Sequence, residues 1–402
     1  MENVIDRFLR YVTFDTQSDA GVTMKPSTSG QMAFLEMLKQ ELIKMGLSEI
    51  SLDSRGYLMA SVEATTNKEK DVVAFLSHVD TSPDVSGKDV NPQIVHYNGG
   101  DIILKNGIVI GVDKFPELDL YKGQDIITTD GNTLLGADDK AGVAAMMDMA
   151  QYLISNPNIE HGKVRFAFTT DEEIGTGMDN FDASLLCADF AYTIDGGRIG
   201  ELEYESFNAA DASIKITGRN VHPGYAKDKM INATEVAFAI DAMLPKDERP
   251  QHTEGYEGYY HLTSISGDVE SVSMHYLIRD HSREIFENRK QKMRDVVEKI
   301  CEIYGKDVVT IDLHDNYYNM REVIEKKMEV VDVALHAMKK IGIDPIVRPI
   351  RGGTDGSRLS FMGVPTPNIF AGGENFHSRC EFLPCNSLKK VSQLIVEIVK
   401  SI

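Results

Sequence analysis

Short, largely apolar runs flank one long apolar helical stretch in the first half of the chain, and this alternation limits the fold more than any other feature. Val72–Leu76 (VVAFL), Val164–Phe168 (VRFAF) and Phe190–Ile194 (FAYTI) have the length and residue types of strands buried on both faces. Between the first two, Ala141–Ile154 (AGVAAMMDMAQYLI) is long enough for a helix and rich in helix formers. Strand, helix, strand in this order predicts a layered α/β sheet. Ahead of it, residues 1–46 read as helical, with Val4, Ile5, Phe8, Leu9 and Val12, then Phe34, Leu35, Leu38, Leu42 and Met45, at helical spacing before a stop at Gly46.

The pattern changes near residue 208. Asp211–Gly218 alternates like a half-exposed strand, Asn232–Leu244 is helical, and Tyr259–Ser266 and Ser271–Arg279 are alternating strands around the turn signal Gly267-Asp268. An amphipathic helix over Glu284–Tyr304 and a strand over Val308–His314 complete a β-α-β-β-α-β series, the ferredoxin-like order. From about residue 319 the chain returns to helix (Val323–Ile341), strand, loop, strand (Thr366–Ala371) and a final helix (Leu388–Val399). The expected architecture is an α/β layered domain, 1–207 plus 319–402, interrupted by an inserted α+β domain, 208–318.

Charge excludes several classes of function. With 42 Lys+Arg against 62 Asp+Glu, the net charge of −20 argues against nucleic acid and against anionic membrane as partners. No apolar run approaches the roughly 20 residues of a membrane span, and the opening MENVIDRFLR lacks the apolar core of a signal peptide. Four cysteines (Cys187, Cys301, Cys380, Cys385) make neither a disulfide framework nor a paired zinc ligand set, so they read as plain thiols in a cytoplasmic protein. HExxH, GxxxxGK[ST] and GxSxG are all missing, which removes the signatures of zincins, P-loop enzymes and α/β-hydrolases.

Polar clusters stand just beyond the expected strands: Ser77-His78-Val79-Asp80, Thr170-Asp171-Glu172-Glu173, Asp195-Gly196-Gly197 and Phe376-His377-Ser378. Another, Gly136-Ala137-Asp138-Asp139-Lys140, opens the long helix. One such cluster would be an ordinary turn or cap. Several at the carboxyl ends of strands can converge on one rim, where open α/β sheets bind ligands. Two histidines among carboxylates suit zinc, manganese or cobalt better than calcium or copper. His78 and Asp80, two residues apart, can face one side, with the carboxylate fixing the imidazole tautomer.

The runs SHVDTSPD, LLGADDKAG, TTDEEIGTG, YTIDGG, NVHPG, TEGYEGYYHL, YYNMR and IRGGTDG, within a span from Tyr11 to about Glu381, closely resemble the dinuclear zinc aminoacylase/carboxypeptidase family of metallopeptidases. Within that family they are most similar to the tripeptide aminopeptidases. The resemblance implies that Asp138 bridges two divalent metal ions, that His78 and Asp195 complete one site, and that Glu173 and His377 complete the other. It makes Glu172 the general base and Asp80 the carboxylate that orients His78. The sequence alone does not separate Glu172 from Glu173, or Asp138 from Asp139.

Three ligand carboxylates and a bridging hydroxide would then neutralise two Zn2+ (or Co2+ or Mn2+), each with three protein ligands. The resemblance makes the larger domain catalytic and the inserted ferredoxin-like α+β domain a lid. In that lid domain and the loop after it, the resemblance gives His222 to the oxyanion, and Asn232, Arg279 and Arg351 to the substrate's backbone and carboxylate. The implied activity is release of the N-terminal residue from tripeptides by a metal-bridging water, with a homodimer built on the smaller domain left open. The rivals are a dipeptidase, carboxypeptidase or aminoacylase of the same family and, outside enzymes, an inactive peptide-binding protein.

Overall fold

Every residue of the strand Val73–His78 is buried, and so is every residue of Val164–Thr169, its parallel neighbour. Strands apolar on both faces need a layer on each side. They belong to the larger of two units in the computed structural model, which describes residues 2–402. That unit runs up to Tyr204 and resumes over Glu322–Arg348 and Thr354–Ile402. The smaller unit is Glu205–Arg321 with Pro349–Gly353.

The larger unit is built on an 8-stranded sheet, in the order Ser48–Leu52, Leu58–Val62, Val164–Thr169, Val73–His78, Phe190–Gly196, Asn368–Phe370, Glu201–Glu203, Ile346–Val347. The middle of it is parallel: Val73–His78 lies between Val164–Thr169 and Phe190–Gly196, and Asn368–Phe370 joins the latter. The carboxyl ends of these strands therefore share one edge. The helix Ala137–Ser155 packs on one face, backed by Val4–Tyr11 and Cys385–Ser401. The other face buries Ala74, Leu76, Ala167 and Ala191 against Met178, Phe181, Leu186 and Leu359. A separate 3-stranded sheet of Gln93–Tyr97, Gln124–Thr128 and Leu383–Pro384 carries the chain into the Asp138 turn. Its side chains Tyr97 and Ile126 share a small apolar core with Phe382, Ile102, Leu118 and Tyr121.

Two expected helices differ. The stretch 1–46 forms Val4–Tyr11 and Ser29–Met45, separated by an irregular segment whose Gly21, Pro26 and Ser/Thr residues favour turns; Met1 lies outside the described residues. The stretch Val323–Ile341 breaks into Arg321–Ile324, a 3₁₀ turn at Glu325–Lys327 and Glu329–Lys340.

The smaller unit has a 4-stranded antiparallel sheet in the order Tyr259–Gly267, Ser271–Asp280, Asn208–Thr217, Val309–Tyr317. This is the ferredoxin-like arrangement, with Ala233–Met243 and Arg283–Tyr304 packed on the apolar face through Val236, Ile240, Phe286 and Met293. Pro349–Gly353 joins this unit because Ile350 N donates to Glu205 O and Phe207 N to Gly352 O.

Close packing of the long helix on the sheet fixes one residue sharply. A Cβ at Gly142 would stand 2.4 Å from Ser77 Oγ, 2.5 Å from Asp139 Oδ1 and 2.7 Å from Ile194 O. Gly→Ala inside a helix ordinarily gains about 0.5–1 kcal/mol, but overpacking against a fixed carbonyl costs about 1–3 kcal/mol. Gly142→Ala should therefore be destabilising in denaturant unfolding; a midpoint at or above that of the parent would show that the helix can lift off the sheet.

Candidate metal centre

The parallel strands end in the residues that matter. His78 is the last residue of its strand, Asp195 the penultimate residue of Phe190–Gly196, and Glu172 and Glu173 follow Thr169 by a short turn. His377 sits in the loop after Asn368–Phe370, with φ of 59°. Asp138 opens the long helix with non-helical dihedrals and a cis peptide to Asp139.

All of these lie in the larger unit, and their side chains meet. His78 Nε2 is 2.9 Å from Asp138 Oδ1 and 3.5 Å from Asp195 Oδ1. His377 Nε2 is 3.2 Å from Asp138 Oδ2 and 2.9 Å from Glu173 Oε2. Each imidazole thus faces two carboxylates, and Asp138 gives one oxygen to each. Ligand atoms of His78, Asp138 and Glu173 all lie within 4.8 Å of one another, as do those of His78, Glu172 and Asp195.

The outer nitrogens of the rings are tied down. His78 Nδ1 is 3.1 Å from the Asp80 carbonyl oxygen and 3.4 Å from Asp80 Oδ1, and His377 Nδ1 is 3.2 Å from Asp84 Oδ2. Oxygen acceptors at Nδ1 hold the proton there and turn the Nε2 lone pairs inward, as metal-binding histidines require. Asp80 does more than the sequence implied. Its Oδ1 accepts from the Glu172 amide and its Oδ2 from the Glu173 amide, each at 3.1 Å.

Burial makes this crowd of carboxylates costly to ionise. Burial, then the charge of Asp138, pushes Glu173 up to about 8 and Asp195 up to about 7. Burial, then the charge of Asp195, raises Glu172 well above the usual range. Burial opposes the charge on His78, yet its bonds to Asp138 and Asp195 outweigh that and raise it. His377 is pushed up to about 11 by its bonds to Asp138 and Glu173. Burial also opposes ionisation of Asp138, but the two imidazoles hold it well below the carboxylate range.

Two divalent cations fit this donor set. The inward nitrogens and carboxylate oxygens match the ligand preference of zinc, manganese and cobalt, and Glu173 Oε1 is buried without a protein partner.

The sequence-derived residues of the smaller unit have their own settings. His222 Nδ1 accepts from the Gly224 amide at 3.1 Å, which leaves the proton of a neutral ring on Nε2. Asn232 caps the helix Ala233–Met243 through Oδ1, which accepts from Thr234 N. Arg279 commits Nη1 to the carbonyls of Ala210 and Ile278, both at 3.1 Å. Arg351 commits both terminal nitrogens, Nη1 to the carbonyls of Gly255 and Glu257 and Nη2 to Thr253 Oγ1, and lies over the Phe207 ring.

Sequence reasoning passed over three carboxylates beside the centre. Asp84 meets His377, Asp355 accepts from Thr169 Oγ1 at 2.6 Å, and Glu381 accepts from the backbone around Asp138. Asp84 and Asp355 carried a signal, as members of the runs SHVDTSPD and IRGGTDG; Glu381 carried none.

Residues 204–308 match a family model described as a peptidase dimerisation domain, and residues 58–178 match one described as peptidase family M28. Peptidase T of Geobacillus kaustophilus is 53% identical over 99% of this chain and 98% of its own. Peptidase T of Parabacteroides distasonis is 55% identical, again over 99% and 98%. Among solved structures, aminopeptidase PepT from Bacillus cereus superposes with a TM-score of 0.78 at 24% identity, over 99% of this chain and 98% of that one. The YXEP protein of Bacillus subtilis, a dinuclear metal-binding peptidase of the M20 family, gives 0.66 at 14% identity, over 99% and 96%.

The raised acids set a pH dependence for the metal-free protein. Asp195 and Glu173 would titrate near 4 in the unfolded chain, so between about pH 5 and 8 the folded state binds more protons and loses stability as pH rises. The raised His377 acts in the same direction from neutral pH upward, and the lowered Asp138 changes only below this window. Bound cations replace those protons. Thermal melts of chelated protein should show a lower Tm at about pH 8 than at about pH 5.5, with the increment on adding zinc larger at the higher pH. The opposite order would contradict the crowded-carboxylate account.

Proposed function

Because the chain belongs to the peptidase T family of tripeptide metallo-aminopeptidases within the M20 peptidases, we propose that its hydrolytic centre is the cluster around Asp138. His78 and Asp195 would hold one divalent ion, Glu173 and His377 the other, and Asp138 both. We take the ions to be zinc, with cobalt or manganese able to replace it. When bound, such a pair lowers the pKa of a shared water and polarises the scissile carbonyl. The observation that carries this reading is the split of the Asp138 carboxylate, one oxygen toward each imidazole.

Glu172 is the base in this scheme. Its buried carboxyl has a raised affinity for protons, which suits a group that takes the proton of the attacking water and passes it to the leaving amine nitrogen. Asp80 sets where it stands by holding the amides of Glu172 and Glu173 together, and it orients His78. His222, with a proton on Nε2, suits donation to the developing oxyanion. Asn232 would bond the substrate backbone. Arg279, whose bonds among the described residues use Nη1, is better suited than Arg351 to a bidentate carboxylate contact. Arg351 shapes the loop 253–257 beside it in the smaller unit. The unpaired state of all four cysteines supports a cytoplasmic setting, and the dimerisation-domain match supports a homodimer built on the smaller unit. No helix among the described residues is long and apolar enough to cross a membrane.

Two measurements test the assignment. Glu172→Gln should keep both metals and lose several orders of magnitude in kcat, whereas Glu173→Gln should lose affinity for one metal. Equal metal loss in both, by elemental analysis, would overturn the division of roles. The second compares a free tripeptide with its N-acetylated form and with longer peptides. The acidic centre favours the free ammonium, so acetylation should remove most turnover. Added residues carry the carboxylate past its arginine and should also reduce it. Release of a C-terminal residue, seen by mass spectrometry, would refute aminopeptidase action.

A further inference from the structure

One buried carboxylate plays no part in the chemistry just described. Glu381 is 1% exposed, and both its oxygens face the backbone that leads into Asp138. Oε2 accepts from Leu135 N at 2.7 Å and Gly136 N at 3.0 Å, and Oε1 from Ala137 N at 2.7 Å and Asp138 N at 3.3 Å. Gly136, with φ of 79°, holds the cap position of the long helix and has no side chain to cap it. Glu381 supplies that function from far along the chain. An anion there is favoured by the helix dipole, and bonds to a charged acceptor are the stronger kind.

The same residue belongs to the loop that carries His377. Glu374 and Phe382 exchange backbone bonds of 2.9 and 3.1 Å that close this loop, and Glu381 N donates to Ser378 O within it. Phe382 is anchored in the apolar core under the 3-stranded sheet, and Leu383 pairs with Ile127. One end of Glu381 is therefore fixed to the His377 loop and the other to the Asp138 turn.

We propose that Glu381 is a positioning residue that sets the placement of Asp138 relative to His377, and through it the affinity for the ion those two residues share with Glu173. This rests on the dimetal reading above. Gln at 381 has nearly the same shape but presents an NH₂ group to two of the four amides, so donor faces donor there. Loss of an outer carboxylate of this kind typically costs roughly 10–100-fold in metal affinity.

The test is Zn2+ titration of metal-free wild type and Glu381→Gln against a competing chelator, with elemental analysis, Co2+ absorption spectra and denaturant unfolding of the metal-free forms. The expected result is a folded Glu381→Gln protein that binds the ion of Glu173 and His377 roughly 10–100-fold more weakly, with a smaller loss at the other ion that Asp138 also holds, and with an altered Co2+ spectrum. Wild-type affinity for both ions, with only the unfolding midpoint lowered, would reduce Glu381 to a structural cap and overturn the proposal. Should Glu381→Gln fail to fold, Glu381→Asp, which keeps the charge but shortens the reach, is judged by the same two outcomes. A wild-type protein that binds a single ion would instead overturn the dimetal reading, so the two failures are told apart.

Discussion

Like charges packed out of water repel one another, and this chain packs Asp138, Glu172, Glu173 and Asp195 around two imidazoles. Desolvation opposes ionisation of all four and raises three of them, while Asp138 stays ionised because it touches both rings. Much of the larger unit can be understood as the framework that holds this unfavourable arrangement still. The parallel strands deliver His78, Asp195 and the Glu172-Glu173 turn to one edge, and the helix behind them packs so closely that Gly142 has no room for a side chain. Cations are the natural counterweight to such a site, since each removes a repulsion that protons would otherwise have to remove.

Backbone amides, rather than opposing side chains, fix the acids that need exact placement. Asp80 grips consecutive amides of the Glu172-Glu173 turn, and Glu381 grips those from Leu135 to Asp138. An amide cannot change rotamer or lose its proton, so a carboxylate bound to several of them has one orientation. The histidines are fixed the other way, by oxygen acceptors at Nδ1. Both devices leave the inward atoms uncommitted.

The fold was legible where strands are buried on both faces, because continuous apolar runs admit few alternatives. It was less legible at the edges. Ser48–Leu52, Leu58–Val62 and the small sheet through Gln93–Tyr97 carry mixed sequences whose strand character depends on their neighbours. The linker after Tyr11 is hard to see in the sequence, since apolar spacing on either side masks the turn residues between. The residues gathered round Asp138 were legible as clusters, but their division into bridge, ligand and base came from resemblance. Adjacent residues such as Glu172 and Glu173 differ only in where their side chains point. Glu381 gave no local sign at all, because its partners are far off in the chain.

The residues gathered round Asp138 extend from His78 to His377, and the strand Asn368–Phe370 that leads to the last of them pairs beside Phe190–Gly196. The smaller unit, Glu205–Arg321 with Pro349–Gly353, comes between. During synthesis, which proceeds from the N-terminus, the emerging chain can present His78, Asp138 and Asp195 long before His377 exists. A half-built centre could capture an ion but could not hold a pair in register. On the dimetal reading proposed above, hydrolytic competence is deferred to the closing stage of translation, and a chain truncated before residue 377 would keep an acidic, ion-attracting rim without the ligand that completes the second ion's site.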